Sequence, residues 1–329
     1  MIIGTALEAW LADPDARSST VAGLEATRQE LRAQPGYAKL ECAADAEASG
    51  DGIRLLALAR GFMADDRAVR QSMAILLDGA NRDPFFRPPV RSTLSEIQAG
   101  LLLFDRPQLS VYLAIASPVP IAEKRLLRTE RASIAFTGRR SIYRFLKAGG
   151  SVLSIWEAPA IDQGFSAATS GRCRFVERRV LRDGEFLELD GSRHGFVIDY
   201  AEAEIVYLHA STPAGGAPLM VEYDSDTMEF AGASSSDEVS SRVQLMLTLL
   251  RAMERTDAAE IFAEIAAGRH FFDRWYAMRE FLALDAEKAL PHLREMAIVD
   301  PHPEVRAAAC QTLARFFSED VEEPATCLA

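Results

Sequence analysis

The stretch Asp183-Gly-Glu-Phe-Leu-Glu-Leu-Asp-Gly-Ser-Arg-His-Gly-Phe-Val-Ile198 holds two short apolar runs separated by Asp, Gly and Ser. Runs of this length, bounded by turn residues, read as neighbouring β-strands. The same pattern extends in both directions from about Gln108 to Ser235. About nine candidate strands fall near Leu109–Ala116, Ala132–Phe136, Ser141–Lys147, Ser151–Glu157, Arg174–Leu181, Phe186–Leu189, Gly195–Tyr200, Glu204–His209 and Leu219–Tyr223. Many short strands at regular spacing suit a closed sandwich or jelly roll.

Outside this block the apolar period becomes helical. Up to about Phe104, apolar residues recur three or four apart, as in Leu24 and Leu31 or Ile53, Leu56 and Ala57. Asp65 and Asp66 can cap a helix through Met73, Leu76 and Leu77, and Ser92 with Glu96 predicts a further helix ending near Phe104. After Ser234-Ser-Ser-Asp-Glu238, the residues Val239, Val243, Met246, Leu247 and Leu250 form another apolar stripe, and helices are expected to about Phe317. An internal 32-residue offset matches Arg274, Ala277 and Phe281 with Arg306, Ala309 and Leu313. The expected organisation is a helical region at 1–105, a β-sandwich at 106–235, a helical region at 236–318 and an acidic tail at 319–329.

The chain has 329 residues, and its 36 basic and 48 acidic side chains give a net charge of −12, which disfavours binding to nucleic acid. Cys42, Cys173, Cys310 and Cys327 lack C-x-x-C spacing, so a reducing compartment is expected. No apolar run reaches the roughly 18 residues of a spanning helix, and the first ten residues lack a basic leader, so the expectation is cytoplasmic, without membrane contact. The marks of serine hydrolases, P-loops, zincins and dinucleotide folds are missing.

Two resemblances add to this reading. Asp183–Ile198 is similar to the second motif of the cupin family: Gly191 stands at the turn glycine, His194 at the metal-binding histidine, and Leu189 where the family has Pro. The first cupin motif needs a His-x-His pair and a Glu upstream, but His194 is the first histidine of the chain. Trp156 and Ala158 stand in the places of the missing pair, so the family's usual metal site does not carry over. Asp300-Pro-His-Pro-Glu-Val-Arg-Ala-Ala-Ala309 resembles a HEAT repeat, with Pro303 in a first helical turn and small alanines that let helices approach. This resemblance implies a short helical array that binds protein or covers the β-domain. The fold class is therefore α+β multidomain, a cupin-like β-sandwich or jelly roll between helical regions.

A two-residue turn at Ala201-Glu202 would pair His194 with His209 and place Phe196 and Tyr207 on their face. That face, with Trp156, is the expected cavity lining. Two imidazoles can begin a metal site if Glu157, Glu188 or Glu222 supplies a third ligand; the other reading is a pair of hydrogen-bonded histidines. Arg139 and Arg140 belong to a basic series with Lys124, Arg125, Arg128, Arg131, Arg144, Lys147, Arg172, Arg174, Arg178, Arg179 and Arg182. Such a series either holds an anionic ligand through forked hydrogen bonds or pairs with the acidic helical regions. Cys173, between two arginines, is a candidate reactive thiol, and His270, His292 and His302 are expected at caps or on the surface.

The first function expectation is a non-catalytic binding or scaffold protein with a degenerate cupin-like cavity for a small-molecule or peptide ligand. Its helical region would hold a protein partner or form a homo-oligomer, and no cofactor is expected. The alternative is a metal-dependent cupin-like enzyme acting on a small organic substrate, with a divalent metal on His194 and His209.

Overall fold

The computed structural model describes residues 2–46, 52–95, 97–119, 133–162, 165–268 and 270–317. Five helices come first: α1 Ile2–Ala12, α2 Pro14–Arg32, α3 Pro35–Ala46, α4 Gly52–Ala64 and α5 Asp66–Arg82. Asp65 caps α5, its carboxylate accepting from the amides of Arg67 and Ala68. The helix expected from Ser92 to Phe104 does not form. Instead β1 Arg91–Leu94 and β2 Gln98–Arg106 pair antiparallel, and Glu96 lies outside the described residues. The reason lies in the core. Leu103 and Phe104 are buried in a sheet against Leu55, Phe62 and Leu76 of the helices, which outweighs the local capping pattern.

The remaining strands are β3 Leu109–Ala116, β4 Ser133–Phe136, β5 Arg140–Lys147, β6 Val152–Glu157, β7 Arg174–Val180, β8 Phe186–Asp190, β9 His194–Tyr200, β10 Ile205–Thr212, β11 Leu219–Asp224 and β12 Phe230–Ser235. One layer has the order β1-β2-β3-β10-β5-β8. In the other, β7-β6-β9 and β12-β11-β4 meet where β9 runs beside β4. There the backbone of Gly195 comes so close to β4 that a Cβ would sit 2.5 Å from the carbonyl oxygen of Ala135. The pairings β3 with β10, β5 with β8, and β6 with β7, together with β4 against β9, are those of a long hairpin rolled on itself, which is a jelly roll.

This rolling overturns the expected β9–β10 hairpin. β9 pairs with β6 in one layer, whereas β10 pairs with β3 and β5 in the other, so His194 and His209 are not cross-strand neighbours. The corner explains the crossing. The amides of Glu202 and Ala203 both donate to Gly149 O, and Gly149, at φ 58°, is so close to Ala203 that a Cβ would lie 2.4 Å from its carbonyl oxygen. Two turns thus lock together where a simple hairpin turn would have closed on itself.

The layers enclose Tyr143, Phe145, Leu153, Ile155, Leu187 and Ile205, with Phe196 and Tyr207 packed against them. Outside the first layer, Val111, Ile142, Leu208 and Ala210 carry the N-terminal helices. Outside the second, Ile134, Phe136, Val221 and Tyr223 form a separate cluster reached by Phe271 and Phe272.

The C-terminal helices are α6 Glu238–Ala252, α7 Ala259–Ala266, α8 Phe271–Leu284, α9 Ala286–Val299 and α10 Pro303–Phe316. Asp237 caps α6, its carboxylate accepting from the amides of Val239 and Ser240 at 3.2 and 3.1 Å. Asp237→Ala is expected to cost about 1 kcal/mol, read as a lowered midpoint in thermal unfolding followed by circular dichroism. The 32-residue offset falls on α8 and α10, with Ala277, Phe281 and Ala309 all buried. The tail from Ser318, which includes Cys327, lies outside the described residues, as do Lys124, Arg125, Arg128 and Arg131. Among the described residues no helix is long and apolar enough to cross a membrane.

Candidate functional site

On the inner face of the first layer, a cavity of about 900 Å³ is lined by β1, β2, β3 and β10 and by the segments 213–218 and 236–242. β3 contributes Ser110, Tyr112 and Ala114, and β10 contributes Tyr207, His209 and Ser211. These residues alternate along their strands and so share the inner face. Gln98 of β2 accepts a hydrogen bond from the Tyr207 hydroxyl, holding that ring at the wall.

His209 is the best-defined polar group of the site. Its ring stacks on Tyr143 at 4.2 Å between centroids and 2° between planes, with Tyr112 at 6.0 Å on β3. Nε2 lies 3.1 Å from Ser141 Oγ. Burial, with the positive charge of Arg139 adding to it, pushes the imidazole down to about 4. At neutral pH the ring is therefore uncharged and offers one donor and one acceptor. Burial pushes the Tyr207 hydroxyl up to about 12 and raises Tyr143 as well, so both phenols keep their protons. The part of the wall formed by Tyr112, Tyr143, Tyr207 and His209 is thus aromatic, neutral and able to hydrogen-bond.

The other residues singled out from sequence divide among several places. Arg139 lines this cavity, and its guanidinium donates to Ser236 O at 3.5 Å. Arg140 does not join it there. Its guanidinium pairs with Asp190 at 3.5 Å and donates to Gly215 O. Phe196 faces the interior, with its ring edge-on to Tyr143 at 5.1 Å. Trp156 belongs to the outer cluster of the second layer and meets Phe175 edge-on, so it lines no part of the cavity. Alternation along β6 turns it outward, since Leu153 and Ile155 face the interior. His194 lies in a separate hollow beside Leu189, Glu188 and Arg179.

A cupin-type metal would need three ligands brought together, and these residues do not fit it. Glu157, which stands opposite His194 in the register, is held by Arg174 and Arg193. Glu188 is held by Arg60 at 2.9 Å, and His209 is on the other layer. Among the described residues no group of three or more His, Cys, Asp or Glu is placed to hold a metal ion.

The basic series is largely consumed by ion pairs. Arg144 reaches Asp66 of α5 at 2.6 Å, Lys147 pairs with Asp183 at 3.0 Å, Arg172 with Glu229 at 2.9 Å and Arg178 with Asp199 at 2.9 Å. Most of these acids belong to the jelly roll itself, not to the helical regions. Cys173 is buried, and desolvation pushes its thiol up to about 11, which opposes the reactive reading. His302 stands at the N-cap of α10, as the sequence predicted, but its side chain makes no capping hydrogen bond and is buried, stacked on Phe271 at 3.9 Å.

Sequence reasoning missed Tyr112, Gln98 and Ser211, although alternation from Ala114 and from His209 would have placed Tyr112 and Ser211 on the inner face. It also missed the contribution of the helical region: Asp237 and Arg242 of α6, and His270 at the head of α8, line the cavity rim.

The HEAT repeat family model matches residues 289–319, covering most of α9 and all of α10. No curated protein matches the chain. Among solved structures, it is similar to ectoine synthase from P. lautus at 10% identity and a TM-score of 0.23, covering 37% of this chain and 69% of that one. It is also similar to a sugar phosphate isomerase from a cupin superfamily from Silicibacter pomeroyi, at 12% identity and a TM-score of 0.24, covering 44% and 85%. An RmlC-like cupin protein from Ralstonia eutropha gives 14% identity and a TM-score of 0.26, covering 47% and 79%. The jelly roll rests on the strand pairing and not on these likenesses. The central domain is a jelly roll, with the stretch that resembles the second cupin motif on β8 and β9, and the C-terminal helices carry a HEAT repeat.

Proposed function

We propose that the protein is a non-catalytic binding or scaffold protein, whose jelly-roll cavity receives a small organic ligand and whose helical region contacts another protein. The observation that supports the first part best is the cavity of about 900 Å³, walled by Tyr112, Tyr207 and a neutral His209. That volume lies within the roughly 300–1,000 Å³ of small-molecule sites, which are mostly apolar with a few placed polar groups. For the second part, the HEAT repeat is joined by Leu245, Met246 and Leu249 of α6 and Met253 at its C-cap, all exposed.

Native mass spectrometry of the full chain, purified without a metal-affinity tag, tests the reading. A retained organic ligand is expected in the wild type and in His194→Ala, and at least tenfold less of it in Tyr207→Ala, because His194 lies in the other hollow. Stoichiometric metal in the wild type that disappears in His194→Ala would contradict the reading and support the metal-dependent enzyme.

A further inference from the structure

The strand register arranges the inner face of the first layer in rows. Ser110, Ser211 and Ser141 stand side by side on β3, β10 and β5, and the next row along is Tyr112, His209 and Tyr143. The three rings of that row form a file, with centroids 6.0 and 4.2 Å apart and interplanar angles of 20° and 2°. Rings stacked from strand to strand stand upright on the sheet, so Tyr112 and His209 present ring edges to the cavity they line. A ring edge is the positive side of the aromatic quadrupole and packs well against the face of another ring.

The polar pairs of this wall hold more hydrogens than they spend. The hydroxyls of Ser110 and Ser211, both buried, lie 2.9 Å apart, and the bond between them uses one of their two hydrogens. The neutral His209 ring and the Ser141 hydroxyl share one bond in the same way and keep one hydrogen, whichever of them donates. Among the described residues the Tyr112 hydroxyl has no hydrogen-bond partner, whereas Tyr207 donates to Gln98. The charged groups of the rim are engaged within the protein: Arg91 with Asp105, Arg106 with Glu41, Asp237 with the amides of α6 and Arg139 with Ser236 O, and Arg242 too has its partner. An enclosed donor without an acceptor costs free energy, so a ligand that brings acceptors is favoured. A ligand that brings a charge loses its hydration against a wall whose charged groups are already taken.

Resting on the binding reading above, we propose that the ligand is an uncharged, planar aromatic molecule carrying carbonyl oxygens. Its ring face lies on the edges of Tyr112 and His209, and its oxygens accept the hydrogens that Tyr112 and the serine row leave unspent.

Four probes of similar size test this on the full chain, each titrated by ligand-observed NMR. They are acetophenone, ethylbenzene, which lacks the acceptor, cyclohexyl methyl ketone, which lacks the aromatic face, and benzoate, which adds a charge. Acetophenone is expected to bind about threefold or more tighter than ethylbenzene and cyclohexyl methyl ketone, and about tenfold or more tighter than benzoate. Tyr112→Phe, or Ser110→Ala combined with Ser211→Ala, should narrow the gap between acetophenone and ethylbenzene without weakening ethylbenzene. Thermal unfolding checks that each variant is folded, and Tyr112→Phe, which removes only an oxygen, serves if the double variant fails to fold. Benzoate, ethylbenzene or cyclohexyl methyl ketone binding as tightly as acetophenone, or a gap that no folded variant narrows, would overturn the proposal. Binding of none of the four would overturn it as well. A ligand retained in native mass spectrometry and lost in Tyr207→Ala would then leave the cavity reading standing, and no retained ligand would overturn both.

Discussion

Arg274→Met is expected to destabilise the C-terminal helices by about 3–5 kcal/mol, the largest loss we foresee from any single substitution outside the jelly roll. Arg274 of α8 makes a two-pronged pair with Asp300, both hydrogen bonds being 2.7 Å, with the side chains only 8% and 3% exposed. Asp300 also accepts from the amide of His302, at the head of α10. Removing the guanidinium alone strands a buried carboxylate, which is the costly half of breaking such a pair. Replacing both partners by apolar residues removes the stranded charge too. Arg274→Met combined with Asp300→Leu should therefore recover much of the loss, in urea unfolding followed at 222 nm. Equal losses in the single and double variants would show that the packing of α8 on α10, and not the ion pair, sets stability there.

The second large effect is a loss of stability on mild acidification. The His209 imidazole sits at about 4 when folded and near 6.5 when unfolded, so between these values the unfolded chain binds the extra proton. The contribution of the neutral ring is fully present above about pH 6.5 and is lost as pH falls toward 4. With about 1.4 kcal/mol for each pKa unit, the loss is on the order of 3 kcal/mol across the window. His209→Asn should flatten this part of the stability–pH curve while leaving the region above pH 7 with a constant offset. Parallel curves for wild type and variant between pH 4 and 6.5 would show that His209 is not the group responsible.

Much of the architecture was legible because local periodicity and burial agree in the central block. The nine sequence-read strands correspond to β3 through β11, and Asp65 and Asp237 are the caps of α5 and α6. β1 and β2 were misread as a helix because Leu101, Leu102 and Leu103 form a continuous apolar run. Such a run carries no period, and its strand state is fixed only by pairing with β3 and by the helices that cover it. β12, with Gly232 and two serines, was too polar to stand out from a turn. The site was legible in part: His209, Tyr207 and Arg139 do share one cavity.

What failed was the step from strands to topology. A short turn between β9 and β10 allows either a hairpin or a crossing between layers, and the choice is made by Gly149, fifty residues away in sequence from that turn. For the same reason His194 was grouped with the wrong cavity. The helical contribution of Asp237, Arg242 and His270 could not be read at all, since nothing in the period of α6 or α8 says which jelly-roll opening they will cover.

The most direct test of the central claim is a crystal structure of the full chain purified with whatever it retains. The account predicts organic density between Tyr112, Tyr207 and His209. Density for a metal-bound molecule at His194, with the His209 cavity holding only solvent, would contradict it.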